Sequence, residues 1–156
     1  MLIIHGGLPK TATTPMQQRL NARATALQEI GLIYPQDFRT SDLVAHHQIP
    51  HEIIELSSAD GRAVNELLRF LEQNRDKTVL ISSEAFTNCV SDKFLKPLQQ
   101  FLQSARRIMP VTWVCCLRRT DNFMQSMYLH QVKVGEVKSG IGDNLSHRWH
   151  WLPRLL

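Results

Sequence analysis

The first seventeen residues constrain the fold of this chain more than any other stretch. An apolar run, Leu2–Ile4, leads into Gly6-Gly7, and a polar turn carrying Lys10 precedes the pair Thr14-Pro15. Thr14 is a favourable helix N-cap, and Pro15 suits the first helical position because its missing N–H would be unpaired there anyway. We therefore predict a short buried strand, a glycine-rich turn and then a helix.

A junction of this kind collects free backbone N–H groups and the positive end of a helix dipole at one point. Lys10 adds a full positive charge, and Thr11, Thr13 and Thr14 add hydroxyl donors. Phosphate is the anion that such a turn favours. The Walker pattern is not matched, because Pro9 stands where glycine would precede the lysine. An ordinary strand-to-helix turn with a solvated lysine is the alternative.

Length and charge narrow the possible functions. The 156 residues amount to about one domain, and 18 Lys and Arg against 14 Asp and Glu leave a modest charge of +4. This excess favours anionic ligands, but no basic run with interleaved aromatics indicates nucleic acid. Three cysteines without CxxC spacing indicate a reducing compartment. With no apolar run as long as a membrane span and no signal peptide, we expect a cytoplasmic protein.

Strand and helix signals alternate along the rest of the chain. We predict that one long first helix buries Met16, Leu20, Ala24, Leu27 and Ile30. A short strand follows at 32–35, residues 36–59 are predicted to be irregular, and a helix from Asp60 buries Val64, Leu67, Leu68 and Leu71. The β-branched run at 77–82 predicts a central strand.

The second half of the chain continues the alternation. A helix at 91–107 is predicted to become regular late because of Pro97, and the apolar run 111–117 predicts a strand buried on both faces. A last helix begins at about Asp121. The pattern predicts an α/β fold with a mostly parallel sheet, in which ligands bind beyond the carboxyl ends of the strands. Polar clusters follow three predicted strands at 10–14, 82–84 and 118–126.

These clusters resemble two motifs of the sulfotransferases, which use 3′-phosphoadenosine 5′-phosphosulfate as sulfuryl donor. Residues 9–14 resemble the first motif, Lys-Thr-Gly-Thr-Thr, which binds the donor's 5′-phosphosulfate. In the second motif, an arginine at a strand end and a serine eight residues later bind the 3′-phosphate; Arg118 and Ser126 have that spacing, and Arg119 does not. The resemblance covers about residues 1–134. It implies a single domain over 1–156 with a three-layer α/β/α, P-loop NTPase-like fold.

The resemblance implies a co-substrate site formed by Lys10, Thr11, Ala12, Thr13, Thr14, Arg118 and Ser126. Lys10 would also act in catalysis by stabilising the leaving phosphate oxygen. Arg118 suits the 3′-phosphate because a guanidinium binds phosphate oxygens in bidentate fashion, and its alternative role is a surface ion pair with Asp121.

A carboxylate and a histidine are alternative candidates for the general base. Glu84 follows a strand that often presents a catalytic residue in the family, and a partly buried carboxylate can accept a hydroxyl proton. His47, or its neighbour His46, is the rival, because imidazole titrates near neutrality. His46, His47 and His51 could form a zinc site by number, but their spacing matches no zinc motif, and we predict no metal.

The implied function is sulfuryl transfer to a hydroxyl of a carbohydrate or other small-molecule acceptor, with the oligomeric state left open. Two departures from the family stand out. Ala12 replaces a glycine, which is tolerable unless that backbone needs a positive φ. Family members are typically longer, so we expect this chain to lack their C-terminal part. The alternatives are a P-loop kinase-type nucleotide-binding domain and a truncated, non-catalytic binding domain.

Overall fold

The computed structural model describes residues 1–40 and 44–136. The described strands are β1 (Leu2–Gly7), β2 (Leu32–Ile33), β3 (Thr78–Ser82) and β4 (Val111–Cys116). The described α-helices are α1 (Thr13–Ala22), α2 (Ala24–Glu29), α3 (Gln48–Leu56), α4 (Arg62–Gln73), α5 (Asp92–Ile108) and α6 (Thr120–Lys133). A short 3₁₀ helix, Glu84–Val90, follows β3.

The four described strands form one parallel sheet in the order β2-β3-β1-β4. β1 lies between β3 and β4 and runs parallel to both. The carboxyl ends of all three strands therefore lie along one side of the sheet, which we call its carboxyl edge. The predicted α/β class is thus confirmed as a four-stranded parallel sheet flanked by helices, an arrangement compatible with three layers. Within the described residues, β2 and β4 are the edge strands.

Side chains on one face of the sheet form the core with three helices. Leu2 and Ile4 of β1 and Val79 and Ile81 of β3 are fully buried on this face. They pack with buried side chains of α3, α4 and α5, among them Ile49, Ile53, Val64, Leu67, Leu71, Leu98, Phe101 and Ala105. The opposite face carries His5 and Ser82, which Gln17 of α1 reaches by a hydrogen bond to Ser82.

Glycine is required where β1 ends. A Cβ on Gly7 would lie 2.4 Å from the carbonyl oxygen of Cys116, and the residue has a φ of +128°. Backbone atoms of β4 cannot yield without loss of the β1–β4 pairing, so no larger residue fits there. The close approach lets the Leu8 N–H donate to the Cys116 carbonyl at 3.1 Å. The turn after β1 is thereby anchored to the carboxyl end of β4.

The prediction for the first helix is wrong in its start, its length and its buried face. The helix begins at Thr13 with Ala12 as N-cap, so Pro15 occupies the third position, where its missing N–H still has no intrahelical partner. It breaks at Arg23, and its buried residues are Thr13 and Gln17. The predicted apolar stripe lies half-exposed instead: Met16, Leu20 and Leu27 line a surface pocket of about 470 Å³. Ile30 is 77% exposed.

Residues 36–59, predicted to be irregular, contain helix α3. Ile49 and Ile53, one helical turn apart, are fully buried against the core, and Pro50 is buried beside them. Glu52 on the same helix accepts a hydrogen bond from the Val64 N–H and so caps α4. Asp60, the predicted start of that helix, lies before the actual N-cap, Gly61.

Two further expectations are corrected in the second half of the chain. α5 is regular from Asp92, with Pro97 buried inside it, so the proline does not delay the helix. β4 is an edge strand with exposed Thr112, Val114 and Cys115, not a strand buried on both faces. Its position at the edge of the described sheet is the reason. Val111 and Trp113 are partly buried and pack against the core, Trp113 edge-on to Phe86.

The chain divides into two compact units, Met1–Leu117 and Arg118–Leu156. The first contains the sheet and its helices. In the second, α6 is described, with Phe123 buried, and the predicted domain end at Leu156 lies outside the described residues. None of the helices in the described ranges is long and apolar enough to cross a bilayer.

Candidate functional site

The turn from Leu8 to Ala12 has an unusual backbone. Lys10 and Ala12 have positive φ values of 64° and 61°, and Thr11 between them does not. In the concave turns that bind anions through successive N–H groups, left-handed residues alternate with right-handed ones, and Lys10 and Ala12 have the left-handed φ of that pattern. The turn lies at the carboxyl end of β1 and leads directly into α1, so the N–H groups at the helix start open to the same region.

The predicted donors of this turn have different environments. The Thr11 hydroxyl donates to the Leu8 carbonyl at 2.8 Å and so closes the turn. Thr13 is buried, Thr14 is exposed, and Lys10 is partly exposed. The structure therefore keeps Lys10, Ala12, Thr13 and Thr14 together at one strand end, while the Thr11 side chain has an internal partner.

Ser82, at the end of β3, is the centre of a buried polar network. Its hydroxyl lies 2.8 Å from Nδ1 of His5 and accepts a hydrogen bond from the Gln17 amide at 3.0 Å. Its main-chain N–H donates to Nδ1 of His46 at 3.1 Å, and its carbonyl accepts the His46 N–H at 2.8 Å. One serine thus connects β1, β3, α1 and the segment before α3.

Glu84 lies at this edge of the sheet beside the same network. It is partly buried at the start of the 3₁₀ helix, and its carboxylate accepts the Gln17 amide at 3.3 Å. Gln17 stands one turn after Thr13, so α1 links the carboxylate to the turn at residues 8–12. The charge of Glu84 also acts on His5 and His47, raising the pKa of each against the larger opposing effect of burial.

His47, the alternative base, lies near Glu84. Its Nδ1 is 2.6 Å from the hydroxyl of Ser83, and its ring stacks on His51 at a centroid distance of 5.6 Å. Burial lowers the pKa of His47, with Glu84 raising it and His51 lowering it by smaller amounts. At neutral pH the imidazole is therefore neutral and can accept a proton. Both base candidates are brought to the carboxyl end of β3.

His46 is held as a structural histidine. It is fully buried, its Nδ1 accepts the Ser82 N–H, and its Nε2 lies 2.9 Å from the carbonyl oxygen of Pro35. Burial lowers its pKa to about 4. Since both ring nitrogens are bound to main-chain groups, His46 does not fit the role of base. Among the described residues, no group of three His, Cys, Asp or Glu side chains is arranged to hold a metal ion.

Sequence reasoning missed His5, Gln17 and Cys116 as members of this site. His5 is buried, and its Nε2 lies 3.2 Å from the sulfur of Cys116 at the end of β4. The prediction that the run 111–117 is buried on both faces implies buried side chains for Cys115 and Cys116, but Cys115 is exposed and Cys116 half-buried. The signal that could have found His5 is a histidine ending an apolar strand immediately before two glycines.

The second predicted motif lies in the second unit. Arg118 is exposed and stands two residues before α6, and Ser126 is partly buried within that helix. Asp121 has Arg119 as its ion-pair partner, through two hydrogen bonds of 2.7 Å. This exposed pair lowers the pKa of Asp121 and raises that of Arg119.

Comparisons of the chain with models of protein families, with curated proteins and with solved structures gave no match.

Replacement of Ala12 by glycine should stabilise the protein. A left-handed backbone costs an alanine about 1–2 kcal/mol, and the greater freedom of glycine in the unfolded chain takes back part of that gain. We expect Ala12→Gly to raise the free energy of unfolding by about 0.5–1 kcal/mol in urea denaturation. The matched control is Ala26→Gly, within α2, where glycine should cost about 0.5–1 kcal/mol. Destabilisation by both changes would contradict the left-handed turn.

Acid should destabilise the fold through His46. The folded-state pKa of about 4 lies below the ordinary 6.5 of the unfolded chain, so protonation favours unfolding. The contribution of neutral His46 to the free energy of unfolding is complete above about pH 6.5. It is lost as the pH falls toward 4, which lowers the free energy of unfolding by up to about 3 kcal/mol. Burial of His5 and His47 acts in the same direction. An NMR titration of the His46 ring proton should show no midpoint above pH 5; a midpoint near 6.5 would contradict the assigned role.

Proposed function

We propose that this chain binds 3′-phosphoadenosine 5′-phosphosulfate and transfers its sulfuryl group to a hydroxyl of a carbohydrate or other small-molecule acceptor. The proposal includes a P-loop-like arrangement of strand, turn and helix around the donor. Its main support is the turn at residues 8–12, in which backbone N–H groups, a lysine and a helix start come together at the end of a central parallel strand.

The turn suits the 5′ end of the donor for three reasons. The alternating backbone of Lys10, Thr11 and Ala12 directs N–H groups toward a bound anion without any side chain. The start of α1 adds the positive end of its dipole, and the exposed Thr14 adds a hydroxyl. Lys10 supplies the full charge. A phosphate with two or three oxygens can engage all of these groups together.

Sulfuryl transfer requires that the acceptor, the sulfur and the leaving phosphate oxygen stand in line. The acceptor oxygen forms a bond to sulfur while the bond from sulfur to the phosphate oxygen breaks, and negative charge grows on that phosphate. Lys10 would stabilise this charge, as positive groups do in phosphoryl transfer. The acceptor hydroxyl loses its proton to a base on the protein.

Glu84 and His47, both at the carboxyl edge of the sheet, are the two candidates for this base. Gln17 connects Glu84 to the helix that follows the turn, and hydrogen bonding by its amide holds one carboxylate oxygen in place. In His47 the Nδ1 atom is bound to Ser83, so Nε2 is the nitrogen that would take the proton. The two candidates differ in charge before the reaction, so a variant at each position would show which of them acts as the base.

For the 3′-phosphate we propose Arg118 and Ser126, on their eight-residue spacing and on the bidentate geometry of guanidinium with phosphate. Arg119, the neighbouring arginine, already binds Asp121. It therefore serves as the natural control for Arg118.

Adenosine 3′,5′-bisphosphate should bind the wild-type chain without magnesium, and calorimetry can measure it. Loss of a charge-assisted hydrogen bond costs about 1.5–3 kcal/mol, so Lys10→Ala should weaken binding by about 10- to 100-fold. Lys77→Ala is the matched control, because Lys77 precedes β3 at the opposite edge of the sheet and pairs with Asp76. It should leave the affinity unchanged.

The ratio of affinities for the bisphosphate and for adenosine 5′-phosphate isolates the 3′-phosphate. This ratio should fall to near one in Arg118→Ala and stay at the wild-type value in Arg119→Ala and Lys10→Ala. Equal binding by wild type and Lys10→Ala would overturn the proposed site. Magnesium-dependent binding of ATP in preference to the bisphosphate would favour the kinase-type alternative, and bisphosphate binding without sulfuryl transfer would favour a non-catalytic domain.

A further inference from the structure

Two adjacent cysteines at the end of β4 have different surroundings. The sulfur of Cys116 lies 3.2 Å from Nε2 of His5, on the face of the sheet opposite the core. Cys115 points to the other side of the strand and is more exposed to solvent than Cys116. Exposure alone would make Cys115 the more reactive thiol. The imidazole beside Cys116 reverses this expectation, because the thiolate and not the thiol is the nucleophile.

The His5 ring is held in place by a third group. Its Nδ1 lies 2.8 Å from the Ser82 hydroxyl, which also accepts the Gln17 amide. Ser82 on one side of the ring and Cys116 on the other therefore contact both ring nitrogens of His5. In the tautomer with hydrogen on Nδ1, that nitrogen donates to Ser82 and the lone pair of Nε2 faces the thiol of Cys116.

The electrostatics of His5 suit a base that both accepts and returns a proton. The residue is 4% exposed, and burial lowers its pKa, so the ring is neutral at pH 7 with a lone pair available. The nearby charge of Glu84 acts in the opposite direction and stabilises the imidazolium once a proton arrives. A nucleophile, a base within hydrogen-bond reach and a group that orients the base form the arrangement that activates thiols in cysteine enzymes.

We propose that Cys116 is a modification site at which small-molecule disulfides form a mixed disulfide, with His5 as base and Ser82 as the positioning residue for the ring. This assignment stands independently of the proposed sulfuryl transfer, because it uses neither Lys10 nor Arg118.

The reaction is a thiol–disulfide exchange and needs no other reactant. The proton of the Cys116 thiol passes to Nε2 of His5, and the resulting thiolate attacks one sulfur of the disulfide. A new S–S bond forms to Cys116 while the original S–S bond breaks. The departing thiolate takes the proton from His5, so the imidazole returns to its neutral form. One small disulfide is consumed and one small thiol is released.

The adjacent cysteines provide the test. Cys115→Ser leaves Cys116 as the reactive thiol, and Cys116→Ser leaves Cys115; the buried Cys89 has its pKa raised to about 12 by burial and stays unreactive in both. Each folded variant is mixed with excess glutathione disulfide, and mass spectrometry follows the mixed disulfide. At pH 6.5 the Cys115→Ser variant should react at least about ten times faster, because Cys116 has a base partner. The difference should narrow toward pH 9, where a neighbouring base gives a thiol less advantage.

The role of His5 is tested in the Cys115→Ser background. His5→Gln should lower the rate at pH 6.5 by about ten-fold while leaving the rate at pH 9 nearly unchanged, since a purely structural defect would alter both. Because the buried histidine also supports the fold, the comparison of the two cysteine variants, which keep His5, decides the proposal if His5→Gln does not fold. Equal rates for the two cysteine variants at pH 6.5, or faster reaction at Cys115, would overturn it.

Discussion

The buried hydroxyl of Ser82 is the interaction on which the carboxyl edge of this sheet depends. It joins His5 of β1 and Gln17 of α1, while the main chain of the same serine pairs with His46. A buried polar group without partners costs more than most single contacts contribute, so this network holds its members in one arrangement. Glu84, His47 and Cys116 are positioned by contact with its members or their neighbours.

Much of the architecture was predictable because it follows from local patterns. The β-branched run at 78–82 and the short apolar run at 2–4 are typical of strands, and both form central strands whose core-facing residues are fully buried. In α4, the predicted Val64, Leu67 and Leu71 are buried, and Leu68 is partly buried against the core. Alternation of strands and helices then requires parallel pairing, which placed the predicted polar clusters at 10–14 and 82–84 at one edge.

Other features depend on contacts that no local pattern contains. His5 and Cys116 are 111 residues apart, and they meet because β1 pairs with β4 in a register that brings Gly7 opposite Cys116. The buried face of α1 was missed because Gln17 is polar and becomes a core residue only through Ser82 and Glu84. Strand β4 was assigned two buried faces because an apolar edge strand has the same composition as a central one. The assignments of Arg118 and Ser126 stay predictions.

The proposed function requires that the turn at residues 8–12 binds the phosphate end of a nucleotide. A titration with adenosine 3′,5′-bisphosphate, followed through backbone amide chemical shifts, tests it most directly. We expect saturable shifts that are largest at residues 10–14, because their N–H groups would contact the phosphate. Unchanged amides throughout this turn at saturating ligand, with shifts confined to other parts of the chain, would contradict it.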